Sequence, residues 1–125
     1  MEFIHAPKAC ASVGPYSHCV KAGSTYYLCG QVPFHPVTGE VVGNGMKEQA
    51  VQTLANMKAV LEAAGLAVTD IAKTTVFVTN MDDFAAFNEV YAAFMGEHRP
   101  ARVCVEISNI AHGCLLEMDA ICFKE

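Results

Sequence analysis

Apolar and polar positions along this chain change period several times. Tyr16 to Val20 and Thr25 to Val32 read as strands, and the glycine-containing Lys21–Ser24 between them marks a hairpin turn. His35–Glu40, with its proline and glycine, and Asn44-Gly45 read as loop and turn. From Met46 the period lengthens. Met46, Ala50, Leu54, Met57, Leu61 and Ala64 share one stripe, with Lys47, Glu48, Gln52 and Glu62 largely off it. This predicts an amphipathic helix over 46–64, ended by Gly65. The β-branched run Asp70–Thr79 predicts a strand bounded by Asn80. A second helix follows, with Asp82 or Asp83 near its N-terminus and Phe84, Phe87, Tyr91 and Phe94 as its core stripe. It must end before Pro100, which disfavours helical geometry at Arg99. Ala101–Ile107 and Cys114–Phe123 read as a final strand pair joined by Ser108–Gly113.

The resulting order is β-β-α-β-α-β-β. Its economical packing is an α+β sandwich of two layers, two helices on one face of a mixed sheet, in one domain over residues 1–125. Ala101, Val103, Val105 and Ile107 are expected to be the buried face of their strand, with Arg102 and Cys104 opposite. In the last strand Leu116, Met118, Ala120 and Cys122 make one apolar face. Leu115, Glu117, Asp119, Ile121 and Phe123 make the other. Arg102 and Glu117 are therefore expected on the same second face of neighbouring strands. That face is half apolar, so a second subunit should cover it and leave the arginine and glutamate in a partly dry pocket.

Composition points the same way. Hydrophobic residues are 53% of the chain and charged residues 17%, against about 25% charged in an average soluble domain. No apolar run approaches the roughly 18 residues of a membrane span, so a subunit interface is the expected sink for the excess. A net charge of −5 supplies no footprint for a phosphate backbone, and nucleic acid is not an expected partner. The first fourteen residues lack the apolar core of a signal peptide, which makes a cytoplasmic location the expectation. The six cysteines form no Cys-x-x-Cys pair and read as free, mostly packed thiols. The histidines at 5, 18, 35, 98 and 112 lack metal-ligand spacing, so no metal site is expected.

The segments GPYS (14–17), CGQVP (29–33), TGE (38–40), QTLANMKAVLEAAG (52–65), KTTVFVTNMDDFAAFNEVY (73–91) and PARVCVEI (100–107) stand in an order that resembles the reactive-intermediate-deaminase family. This is the Rid or YjgF family, whose members also carry the label endoribonuclease L-PSP or translation inhibitor. The resemblance runs from about Pro7 to Phe123, and Glu117 lies fifteen residues after the arginine of PAR. It implies a chorismate-mutase-like fold, a homotrimer with three inter-subunit clefts, and hydrolysis of 2-imino acids or their enamine tautomers. The products are 2-keto acids and ammonia, as for a 2-iminobutanoate/2-iminopropanoate deaminase, with no cofactor. Arg102 then matches the arginine that grips the substrate carboxylate, for which a planar fork suits better than lysine. Glu117 matches the glutamate that holds the attacking water. Tyr16, Gly30 and Cys104 match cleft-lining positions, and Asn88 a second-helix residue near the site. Cys29 also falls in the cleft, where many deaminase-active members have serine. The link before PAR is shorter than is usual in the family, with Arg99 directly before Pro100, and Ile110–Gly113 replaces a common Leu-Pro. Those loops line the cleft entrance in the family.

Other readings compete. Arg102 and Glu117 also suit a structural ion pair pinning subunits together, and Cys104 a packed thiol rather than a nucleophile, with no histidine placed to activate it. The family label offers a ribonuclease, which would need groups for phosphate and an acid–base pair. A non-catalytic carboxylate-binding or chaperone-like trimer would keep Arg102 and tolerate loss of Glu117.

Overall fold

The computed structural model describes residues 1–125. In chain order it contains β1 (Glu2–Ile4), β2 (Cys19–Ala22), β3 (Thr25–Gln31), α1 (Met46–Ala63), β4 (Ile71–Val78), α2 (Phe84–Met95), β5 (Ala101–Glu106) and β6 (Leu116–Phe123). One six-stranded sheet runs β1-β2-β3-β6-β4-β5. Only β4 and β5 are parallel. The sandwich read from the sequence is observed, with one addition: β1 is an edge strand of three residues, too short to carry a period. No helix is long and apolar enough to cross a membrane.

Local chemistry accounts for the elements. Ala22 pairs with Thr25 across a two-residue turn in which Gly23 takes φ 63°, the positive φ that such a hairpin needs at its first central position. Tyr16 and Ser17 lie outside β2, because His18 ties the preceding chain down. Its buried ring accepts the Ala6 amide on Nδ1 at 3.1 Å and donates from Nε2 to the Cys10 carbonyl at 2.8 Å. Helix α1 ends with Gly65 at φ 74°. There the Leu66 amide donates to the Leu61 carbonyl at 2.8 Å and the Gly65 amide to Glu62 at 3.0 Å, a paired cap that satisfies two terminal carbonyls. Its predicted stripe is buried from Met46 to Leu61, and Gln49 and Asn56 are buried beside it. Asn56 donates to the carbonyls of Val32 and Phe34 at 2.9 Å each. Gln49 donates to the Gly43 carbonyl and accepts the Leu115 amide at 2.8 Å. These two amides fasten the loops around the end of β3 to the helix layer.

Two expectations about the final strands are corrected. Ala101–Ile107 and Cys114–Phe123 do not pair with each other, because β4 lies between β5 and β6. The unit β4–α2–β5 is a parallel crossover, which sets β5 beside β4 at the sheet edge, while β6 enters the sheet centre. The faces of β5 are also inverted. Arg102 is paired with Thr74 and Cys104 with Val76, and both partners are fully buried under the helices. Val103 and Val105 point to the opposite, uncovered face and are exposed. The faces of β6 are as predicted: Leu116, Met118, Ala120 and Cys122 are in the core, and Glu117, Asp119 and Ile121 are half-buried on the open face.

Candidate active site

The sequence-predicted site residues fall into two groups on opposite faces of the sheet. On the open face, Tyr16, Cys29, Gly30 and Glu117 line one cavity of about 370 Å³, with Val13, Val32, Phe34 and Ala111. A β-bulge positions it. Leu28 pairs with Ala120 and Gln31 with Met118, so Cys29 and Gly30 together oppose Asp119. The extra residue turns this stretch of β3 toward Glu117, as bulges beside binding sites commonly do. A Cβ on Gly30 would lie 2.9 Å from the Glu117 carboxyl carbon and closer still to Oε2. Glycine is therefore what lets the carboxylate lie flat on the strand. Burial pushes the Glu117 carboxyl above its ordinary value, and Asp119 adds to the rise. The Cys29 sulfur accepts the Gln31 amide at 3.1 Å, and burial pushes its thiol up. Tyr16 is half exposed, with its hydroxyl accepting the Val13 amide at 3.4 Å.

The second group lies at the β5 edge. Arg102 donates from Nη1 to Asn88 Oδ1 at 2.8 Å. Its guanidinium sits over the rings of Phe84 and Tyr91, with centroids at 5.2 and 4.8 Å. Tyr91 is itself fixed by a 2.8 Å hydrogen bond to the buried Thr74 hydroxyl. Half of the predicted core stripe of α2 is thus a cation cradle, and Phe87 is the member buried completely. No carboxylate is paired with Arg102, since the chain's single salt bridge joins Lys47 to Glu89. Arg102 and Asn88 line a cavity of about 490 Å³ at the end of α2. Cys104 is half-buried on the same face of β5 and packs against the core. Burial pushes its thiol up more than nearby Arg102 pulls it down, the opposite of an activated nucleophile.

The expectation that Arg102 and Glu117 share one face of adjacent strands is therefore corrected. Within one chain they are separated by β4 and by the thickness of the sheet, and no intrachain ion pair joins them.

Residues 5–124 match the family described as Endoribonuclease L-PSP. The chain belongs to that family, the Rid/YjgF/RutC proteins. It is 47% identical over 124 residues to a RutC family protein of Pyrococcus horikoshii, covering 99% of this chain and 98% of the relative. It is 44% identical to the 2-iminobutanoate/2-iminopropanoate deaminase of Escherichia coli K12, covering 97% and 96%. Among solved structures it resembles E. coli TdcF with bound serine, at TM-score 0.94, 40% identity and full coverage of both chains.

Several features of this L-PSP family chain escape a reading of its sequence. Nothing local marks Phe84 and Tyr91 as ring partners of Arg102, a task that Tyr91 combines with packing against the core. The bulge had one cue, Gly30 inside a strand run. His98 had none: its Nε2 reaches back to the Ile71 carbonyl at 2.7 Å and holds the α2–β5 link against the start of β4.

Proposed function

We propose that this chain is a 2-imino acid deaminase, hydrolysing 2-iminobutanoate, 2-iminopropanoate or their enamine tautomers, in clefts between the subunits of a homotrimer. The observation that carries this is Arg102: a part-buried guanidinium held between two rings and an amide, with no carboxylate partner. Such a group calls for an external anion, and its fork fits a carboxylate. The Glu117 half of the site lies on the open face, which also bears Val103, Val105, Tyr27 and Phe123, all exposed by 40% or more. Burying that face against a second copy would bring the Arg102 edge of one chain to the Glu117 cavity of its neighbour.

In this cleft the Arg102 guanidinium binds the substrate carboxylate and Asn88 keeps the guanidinium oriented. Water held by Glu117 adds to C2 of the protonated imine, and the carboxylate takes the proton that water loses. That proton is delivered to nitrogen, and as the C–N bond breaks the new hydroxyl group gives its proton to the freed Glu117 carboxylate, so that ammonia and a 2-keto acid leave. Protonation makes the imine carbon electrophilic, so the chain need only orient water and relay a proton. Cys104 and Cys29 contribute shape rather than a nucleophile, since burial raises both thiols. Tyr16 and Gly30 line the wall beside the water.

The test is ammonia release from freshly generated 2-iminobutanoate or 2-iminopropanoate, with a dehydratase or amino-acid oxidase as the source. Wild type should accelerate release over the spontaneous reaction. Arg102→Ala should abolish productive binding. Glu117→Gln should keep the fold and carboxylate binding while slowing turnover by about 10²–10⁴. Equal rates for Glu117→Gln and wild type would remove the glutamate from the mechanism. No acceleration by wild type would leave a carboxylate-binding trimer.

A further inference from the structure

The cavity beside Arg102 holds a second arginine. Arg99, His98 and Pro100 line it together with Arg102, Asn88 and Tyr91, and none of its lining residues is acidic. In a chain of net charge −5, this is a local concentration of cations where the rest of the surface would repel an anion. Arg99 is not mobile decoration. Its Nη1 donates to the carbonyl of Gly96 at 2.5 Å and to that of His98 at 2.9 Å, while the His98 ring is anchored to Ile71. Capping the end of α2 in this way uses one nitrogen. The N–H groups on Nη2 and Nε make no hydrogen bond within the chain, and the side chain is exposed. Arg102 likewise commits only Nη1, to Asn88.

We propose that Arg99 is a specificity-determining residue that binds a second carboxylate, making four- and five-carbon 2-imino dicarboxylates the preferred substrates. The inference rests on the deaminase reading above and deepens it. Arg102 takes the carboxylate next to the imine carbon, and the side-chain carboxylate extends along the same acid-free cavity to Arg99. About 490 Å³ is room for a substrate of this size with water around it. A purely aliphatic side chain can pack on Ala92, Met95 and Pro100 of this wall but leaves the free Arg99 N–H groups without a partner.

A matched pair isolates the second carboxylate: 2-iminoglutarate against 2-iminopentanoate for turnover, and 2-oxoglutarate against 2-oxopentanoate for binding by calorimetry. Wild type should favour the dicarboxylate in both kcat/KM and Kd. Arg99→Met should reduce that preference about fivefold, the scale for a partly exposed charge-assisted contact, and Arg99→Lys should restore part of it. Raising the salt concentration should shrink the wild-type preference. Equal preference ratios in wild type and Arg99→Met, with folding verified by circular dichroism, would overturn the assignment. So would a wild type that prefers the monocarboxylate. If wild type accelerates hydrolysis of neither these imines nor 2-iminobutanoate, the deaminase reading fails and the substrate preference fails with it. The keto-acid Kd ratio then decides the binding half of the inference: an Arg99-dependent preference for 2-oxoglutarate upholds Arg99 as the anchor of a second carboxylate, and its absence overturns that too.

Discussion

In the proposed reaction Glu117 has to be ionised to accept a proton from water, yet its place on the strand favours the neutral acid. Burial raises its pKa, with Asp119 adding to the effect. Activity should accordingly fall away at a higher pH than an ordinary glutamate would give, and a pH–rate profile reads this directly. Stability runs the other way. Between the ordinary glutamate value and the raised one, the folded chain holds a proton that the unfolded chain has released, so stability declines as pH rises through that window. Glu117→Gln, which cannot ionise, should melt higher than wild type above the window, and the gap should close at acid pH. Gly30 sets the geometry of the same carboxylate. A methyl group there would overlap Glu117, but the carboxylate is the end of a flexible side chain and can move aside. Gly30→Ala should therefore fold, while displacing the base by the ångström that costs about 10- to 100-fold in kcat. Wild-type kcat in that variant would mean Glu117 need not lie against the strand.

At the scale of elements, α2 does two jobs with one aromatic stripe. Phe87 packs in the core, while Phe84 and Tyr91 hold Arg102. Tyr91→Phe keeps the ring but strands the buried Thr74 hydroxyl, at a cost of about 1–3 kcal/mol. Tyr91→Leu also removes the ring, and KM should rise about two- to fivefold further, the worth of an exposed cation–π contact. Thermal melts and steady-state kinetics on the pair separate the two contributions. The same elements mark the limit of what the chain announces. Helix α1 and both faces of β6 were legible because each has one strongly apolar side and is covered on that side. Strand β5 alternates just as cleanly, but Ala101, Val103, Val105 and Ile107 lie on the uncovered face. Alternation states that two faces differ and leaves open which one the helices cover. That depends on the β4–α2–β5 crossover, a long-range choice. The site residues were legible individually, whereas their division between two faces was not, since it follows from β4 lying between β5 and β6.

For the whole molecule, that division makes a demand that can be tested without a new structure. Arg102 and Glu117 cannot meet within one chain, so the proposed cleft must take them from two. Arg102→Ala chains, which lack productive binding, and Glu117→Gln chains, slowed at least about a hundredfold, should then complement. When the two are unfolded together and refolded as an equal mixture, a cleft is intact if its arginine comes from a Glu117→Gln chain and its glutamate from an Arg102→Ala chain. Random three-fold assembly gives this in about a quarter of clefts, so roughly a quarter of wild-type activity should return. A site contained in a single chain would give none. The open face supplies the second half of the argument. Phe123 is half exposed at the end of β6, so Phe123→Glu should be tolerated in the isolated chain but place a charge in the proposed interface. Sedimentation should show that variant as a monomer, and its activity should vanish with the assembly. A fully active monomer would place the whole reaction within one chain and remove the reason for the open apolar face to lie beside the Glu117 cavity.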